Sequence, residues 1–156
     1  MDTLDNSIRR VLEKWRDTPG ALLPILHALQ DELGYVPPEG VPLIAADLNL
    51  SRAEVHGVVS YYHHFRQTPP GRHVLRVCRA EACQAVGADA LIAHVQKTLG
   101  CGFHETSPDG SVSLEPVYCL GQCAAGPAVS VDEVRLYGRV TPEAVDALLA
   151  ELRGKP

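Results

Sequence analysis

Four cysteines constrain this chain more than any other feature. They fall in two close pairs, Cys78-x4-Cys83 and Cys119-x3-Cys123, with 35 residues between the pairs. Thiolates at such spacing converge from one loop, and two loops at the ends of neighbouring strands supply four ligands to one soft-metal centre. The residues around them are small or stiff. Gly121 and Gly126 permit close backbone approach, Pro127 stiffens the second loop, and Ala82, Ala85, Ala124 and Ala125 leave little bulk. Spacing alone admits zinc as well as an iron–sulfur centre. A redox dithiol fits less well, because neither pair has the Cys-x-x-Cys spacing. The fifth cysteine, Cys101, stands alone and reads as a small buried hydrophobe.

Composition narrows the partners. With 46% hydrophobic residues, the 156-residue chain has the apolar material for one compact domain, or for a small core with an appended helical segment. Its 19 acidic against 14 basic residues give a net charge of -5, the wrong sign for a phosphate-binding face, so nucleic acid is not an expected partner. The opening residues are acidic and polar, without the basic and apolar regions of a secretory signal. Every apolar run is shorter than the roughly 18 residues of a membrane span. The expectation is a cytoplasmic chain without membrane insertion, in which a reducing compartment disfavours structural disulfides.

The first seventy residues carry helical signals. Ile8, Val11, Leu12 and Trp15 share one helical face, stopped by Thr18-Pro19-Gly20. A second helix begins near Ala21, tolerates Pro24 in its first turn and ends at Gly34. A third spans about Glu39 to Leu48. Ser51 and Glu54 form a Ser-x-x-Glu capping box that predicts a helix from Arg52 to Tyr62. Thr68-Pro69-Pro70-Gly71 then breaks the chain. Beyond it the pattern alternates: a strand over 73–77 ending at Cys78, a cysteine-bearing loop, and a helix over 88–99. A turn at Asp109-Gly110 leads into a strand ending near Cys119. Strands over 127–131 and 134–137 flank Asp132-Glu133, and Thr141-Pro142 opens a last helix through Leu152. Adjacent His63 and His64 face different directions on a helix, so they read as surface or interface packing rather than as ligands of one ion; the Tyr61-to-Phe65 aromatics read as packing between domains.

The cysteine pattern, with Cys119-Leu-Gly-Gln-Cys123 and Pro127 four residues on, resembles the thioredoxin-like 2Fe-2S ferredoxin family. That family includes the 24 kDa-type subunit of respiratory complex I, the small subunit of bidirectional NAD-linked hydrogenases, and the gamma subunit of NAD-dependent molybdenum or tungsten formate dehydrogenases. The resemblance extends to the front half, through Leu26-His27-Ala28-Leu29-Gln30-Asp31-Glu32-Leu33-Gly34-Tyr35 and Gly57-Val58-Val59-Ser60-Tyr61-Tyr62. Val77-Cys78-Arg79-Ala80-Glu81-Ala82-Cys83-Gln84, with the stretch from His64-Phe65-Arg66 to Gly71-Arg72-His73, looks most like the formate dehydrogenase gamma subunit. The familiar Ala-Pro after the last ligand stands here as Gly126-Pro127, a departure that touches loop stiffness and removes no ligand.

The resemblance implies an α/β fold: an N-terminal helical bundle segment, residues 1–70, docking on a flavin subunit, then a thioredoxin-like domain, residues 71–156, holding one 2Fe-2S cluster on Cys78, Cys83, Cys119 and Cys123. It implies single-electron exchange with the FMN of a flavin- and NAD-binding beta-type subunit, beside a larger alpha-type subunit carrying iron–sulfur centres and a molybdenum or tungsten cofactor. The chain has no Gly-x-Gly-x-x-Gly or P-loop, which places FMN and NAD in the partner and makes this subunit non-catalytic alone. Backbone N–H groups around Gly121 and at the start of the helix after Cys83 are expected to offset the cluster's charge. Arg79 reads as a solvated loop arginine, or as a tuner of the potential if it points inward. The equivalent subunit of complex I or of a hydrogenase is the alternative within the family. A structural zinc module and a dithiol oxidoreductase are the alternatives outside it.

Overall fold

The computed structural model describes residues 3–154, which form two compact units dividing between Pro69 and Pro70. The first is helical. Helix α1, Thr3–Trp15, turns Ile8, Val11 and Leu12 inward at helical spacing. Helix α2, Leu22–Leu33, buries Ile25, Leu26 and Leu29; it ends at Gly34, whose φ of 83° lets its N–H reach the Gln30 carbonyl at 2.8 Å. The expected third helix is two pieces. A 3-10 turn, Pro38–Gly40, precedes helix α3, Val41–Asp47, because Pro42 has no N–H to continue a ladder and is tolerated only in a first turn. Helix α4, Arg52–Tyr61, starts at the Ser51–Glu54 capping box: Ser51 N donates to the Glu54 carboxylate at 2.8 Å, and Glu54 N donates to Ser51 Oγ at 3.2 Å.

The side chain of Gln30 fastens the chain after α4 to α2. Its Nε2 donates to the His64 carbonyl at 2.8 Å, and its Oε1 accepts from Arg66 N at 2.9 Å. Both halves of a buried amide are satisfied, which is the condition for burying it at low cost. Phe65 packs in this unit's core, its ring edge-on to His27 at 5.0 Å, and His64 lies 5.2 Å from His27. These contacts of Phe65 and His64 are internal to the first unit.

The second unit is a five-stranded sheet in the order β2-β3-β1-β4-β5. Its strands are β1, His73–Cys78; β2, Glu105–Thr106; β3, Val112–Val117; β4, Val129–Val131; and β5, Arg135–Tyr137. Strand β1 runs parallel to β3 and antiparallel to β4, while β2 and β5 are antiparallel edges. The register places Leu75 beside Leu114 and Val131, and Val77 beside Val129. Since alternate residues of a strand share a face, Leu75, Val77, Val112, Leu114, Val129 and Val131 line one side. That side packs on helix α6, Ala88–Leu99, and helix α7, Pro142–Gly154, through Leu91, Val95, Leu99, Val145, Leu149 and Leu152.

Turns follow the sequence closely. Asp132 and Glu133 both take positive φ, 52° and 59°, at the centre of a turn closed by Val134 N donating to the Val131 carbonyl at 3.1 Å, within the three-residue loop between paired Val131 and Arg135. Asp132 ties the turn to β1, accepting from Val74 N at 2.8 Å and meeting His73 Nδ1 at 2.8 Å. Thr141 Oγ1 caps α7 by accepting from Ala144 N at 3.2 Å. No helix of the described residues is long and apolar enough to cross a membrane.

Candidate metal centre

Sheet topology gathers the four cysteines. Cys78 is the last residue of β1 and pairs in register with Val117, the last of β3; because the strands are parallel, Cys119 lies just beyond the same sheet end. Strand β4 runs the other way, so its start, preceded by Cys123 and Pro127, returns to that end. Two backbone bonds close the junction: Cys78 N donates to the Ala128 carbonyl at 3.0 Å, and Arg79 N to the Val117 carbonyl at 2.7 Å.

Cys83 departs from the expected loop. It lies inside a short helix, α5, Glu81–Ala85, and the helix expected to follow it begins at Ala88, after Gly87 at φ 97°. The turn is held by Cys83 N donating to the Ala80 carbonyl at 3.0 Å and by Gln84 Nε2 donating to the Arg79 carbonyl at 2.9 Å. Five residues carry too little periodicity to announce a helix between two cysteines. Cys78 and Cys83 are buried together with Ala88 and Ala128, and Ala80, Val117 and Leu120 pack beside them.

The second pair is exposed. Cys123 opens a 3-10 turn, Cys123–Ala125, and its sulfur lies 3.7 Å from that of Cys119. Gly121, at φ 74°, turns its N–H onto Cys119 Sγ at 3.3 Å. Cys119 itself has φ 142°, a region that residues with a side chain rarely occupy and that the spacing of cysteines does not disclose. The loop is clamped from outside by Arg139 N donating to the Ala125 carbonyl at 2.6 Å and Val140 N to the Pro127 carbonyl at 3.0 Å. The Gly126–Pro127 peptide is cis.

The thiols therefore stand as two pairs, with Cys83 feeling both Cys78 and Cys123. Burial pushes the Cys83 thiol above the ordinary thiol range, Cys78 adds to the rise, and the Ala128 backbone opposes it. Cys123 is raised first by its hydrogen bond with Cys119 and then by that thiol's charge. Each shift favours the protonated thiol, at Cys83 through burial first and at Cys123 through its neighbouring thiol, and a bound cation would be needed to hold such thiolates ionised. Among the described residues, no three or more His, Cys, Asp or Glu side chains gather for a single metal ion.

The donor set suits a sulfur-bound cluster. The two pairs carry thiols alone to the same sheet end, and a backbone N–H is already directed at one sulfur. Space is kept by the absence of a side chain at Gly126: a Cβ there would lie 2.9 Å from Val86 Cγ2 and 3.2 Å from Cys83 Sγ.

Cys101 is separate. It follows α6, whose C-terminus lies at the opposite end of the sheet, and is half-buried against the unit's core. Burial raises its thiol first, with Glu105 adding to the rise and Arg153 opposing it. A groove of about 480 Å³ in the first unit, lined by Arg9, Glu13, Arg16, Leu43 and Asp47 among others, carries no thiol.

Known proteins resemble this chain in sequence and in fold. Residues 8–153 match the thioredoxin-like 2Fe-2S ferredoxin family. An NADH-quinone oxidoreductase subunit of Pseudomonas aeruginosa is 34% identical over 148 residues, covering 95% of this chain and 89% of its own. NADP-reducing hydrogenase subunit HndA of Solidesulfovibrio fructosivorans is 34% identical over 148 residues, covering 95% of this chain and 86% of its own. An NAD+-reducing NiFe-hydrogenase in the H2-reduced state superposes with a TM-score of 0.71 at 22% identity, over 87% of this chain and 22% of that one. This last is a likeness of fold, and the chain spans only that small share of the hydrogenase chain. By sequence, N-terminal helices followed by a thioredoxin-like α/β unit, and the cysteine pattern, the chain belongs to the thioredoxin-like 2Fe-2S ferredoxin family.

Proposed function

We propose that this chain is the gamma-type electron-transfer subunit of a cytoplasmic, NAD-dependent formate dehydrogenase containing molybdenum or tungsten. Cys78, Cys83, Cys119 and Cys123 hold one 2Fe-2S cluster, and single electrons pass between it and the FMN of an NADH-binding beta-type subunit. The observation that carries the reading is the meeting of both cysteine pairs at one sheet end, set by the parallel register of β1 and β3 and the return of β4. When bound, the cluster supplies a one-electron couple between formal charges of about -2 and -3.

The chain's own groups divide the work. Cys78 and Cys83, buried among Ala88 and Ala128, shield one side from water, while exposed Cys119 and Cys123 leave the other open to a partner. The Gly121 N–H donates to a ligand sulfur, an interaction that strengthens as negative charge grows. Tyr118 and Val86, each more than half exposed, give the open side an apolar rim fit for a protein surface.

The wider assignment draws on relatives named as subunits of an NADH-quinone oxidoreductase and an NADP-reducing hydrogenase. The choice of formate draws on the Val77-to-Gln84 stretch and the segment from His64 to His73. Anaerobic purification of the tagged chain from its own cells tests the proposal. The expected complex contains an FMN subunit and a molybdenum or tungsten subunit, and reduces NAD+ with formate. A complex that oxidises hydrogen or reduces quinone, and is inert to formate, would replace formate dehydrogenase by the corresponding relative.

A further inference from the structure

The 3-10 turn that carries Cys123 has no buried residue, so core packing does not fix it. It is closed locally by Ala125 N donating to the Gln122 carbonyl at 2.9 Å. What holds it against the unit is the segment joining β5 to α7. Gly138 follows Tyr137, which pairs with Val129 and packs on the core, while Val140 is buried in that core and Thr141 caps α7. Both ends of the segment are therefore anchored, and it rests on the cysteine turn. Arg139 N donates to the Ala125 carbonyl at 2.6 Å, and Val140 N to the Pro127 carbonyl at 3.0 Å.

Gly138 sets the room at this contact. A Cβ there would lie 2.8 Å from the Ala125 carbonyl oxygen and 3.0 Å from Ala125 Cβ. Its φ lies outside the left-handed region, so the position needs space and not backbone freedom. The oxygen it would meet belongs to the backbone, which cannot swing aside as the end of a long side chain can, so the turn itself must move. Cys123 stands two residues before Ala125 in that turn, whereas Cys119 follows β3 and is met by the Gly121 N–H; a moved turn therefore shifts one sulfur of the 3.7 Å pair against the other. Resting on the cluster assignment above, we propose that Gly138 is a positioning residue: its bare α-carbon lets residues 138–140 lie flush on the turn and sets where the Cys123 sulfur meets the cluster. A ligand sulfur held out of place alters the electronic structure of the iron it binds and weakens the grip on it.

Two readouts on the full chain, purified anaerobically and counted for iron and sulfide, test the proposal: the EPR g-values after dithionite, and the rate at which an iron chelator bleaches the visible absorbance. Gly138→Ala should shift the g-values and bleach about tenfold faster. Gly154→Ala, where an added Cβ meets nothing within 4 Å, should leave both unmoved, and a matching shift there would overturn the assignment to residue 138. A mere loss of stability speeds bleaching without moving the g-values of the clusters that remain, so the spectrum separates positioning from destabilisation. Unchanged g-values in Gly138→Ala at full iron overturn the proposal, whatever the rate. If that variant arrives without iron, Gly138→Ala combined with Ala125→Gly takes its place: the second change removes the methyl met at 3.0 Å and lets the carbonyl turn aside. Restored iron there supports the proposal, and iron still absent overturns it. A wild-type chain without iron and sulfide fails at the counting step, and then the cluster assignment falls together with this inference.

Discussion

At Gly126 a single missing methyl sets how closely the second cysteine loop approaches the first. Its φ of -71° suits any residue, so the constraint is space and not backbone freedom. Adding Cβ drives into Val86 Cγ2 and crowds Cys83 Sγ. Gly126→Ala is therefore expected to lower the iron content per chain, at an overpacking cost of about 1–3 kcal/mol. Val86→Ala in the same chain should restore it by removing the clashing methyl. Equal iron in the single variant and the wild type would show that the loop yields freely. Cys→Ser at positions 78, 83, 119 or 123 should each lose most iron and acid-labile sulfide, whereas Cys101→Ser should lose neither. Spacing alone pointed to these four thiols as one set. It did not disclose the positive φ of Cys119, the shielding of Cys78 and Cys83 against the exposure of their partners, or the half-buried side chain of Arg79, which lies 5.3 Å over the Phe103 ring and is not the expected solvated loop arginine, because each depends on contacts from distant sequence.

Among the elements, those with a local chemical reason or a clear apolar run were legible in the sequence, and the short β2 and α5 were not. The Ser51–Glu54 box announces α4, and Ser51→Ala should cost about 1 kcal/mol, read as a lower thermal midpoint. Asp132-Glu133 and Thr141-Pro142 mark a hairpin and a helix start through their turn and capping preferences. Strand β2 has two residues and exists only because β3 lies beside it, and α5 is too short for a periodic signal. The turn before β3 carries a pH dependence. Asp109 accepts from Ser111 N at 3.0 Å and from the hydroxyls of Ser107 and Ser111, and these bonds hold its carboxyl well below the usual carboxylate range. A depressed folded pKa adds stability that is fully present above the unfolded value, about pH 4, and is lost as pH falls towards the folded one. Asp109→Asn should thus melt below the wild type at neutral pH, with the gap narrowing below about pH 4. A gap independent of pH would mean that the carboxylate charge contributes nothing.

The whole molecule joins a helical unit with no thiol to a sheet unit that carries all five cysteines. Each has its own hydrophobic core, which is the physical basis for separating their roles. We propose that the helical unit docks on the flavin subunit. Deleting residues 1–70 should then weaken assembly while leaving the cluster signal, and undiminished complex formation by the truncated chain would refute that role. The break at Thr68-Pro69-Pro70-Gly71 was readable because prolines interrupt both helix and strand. That the cysteine pairs share one sheet end was expected from their spacing, but the strand order and the parallel register that bring them there were not readable. Whether the four thiols hold a 2Fe-2S cluster is decided by iron and acid-labile sulfide analysis of the anaerobically purified chain, with EPR before and after dithionite. The expectation is about two irons and two sulfides per chain, with a rhombic signal that appears only on reduction. Zinc without sulfide, after controls for cluster loss during purification, would contradict it and leave a structural metal module.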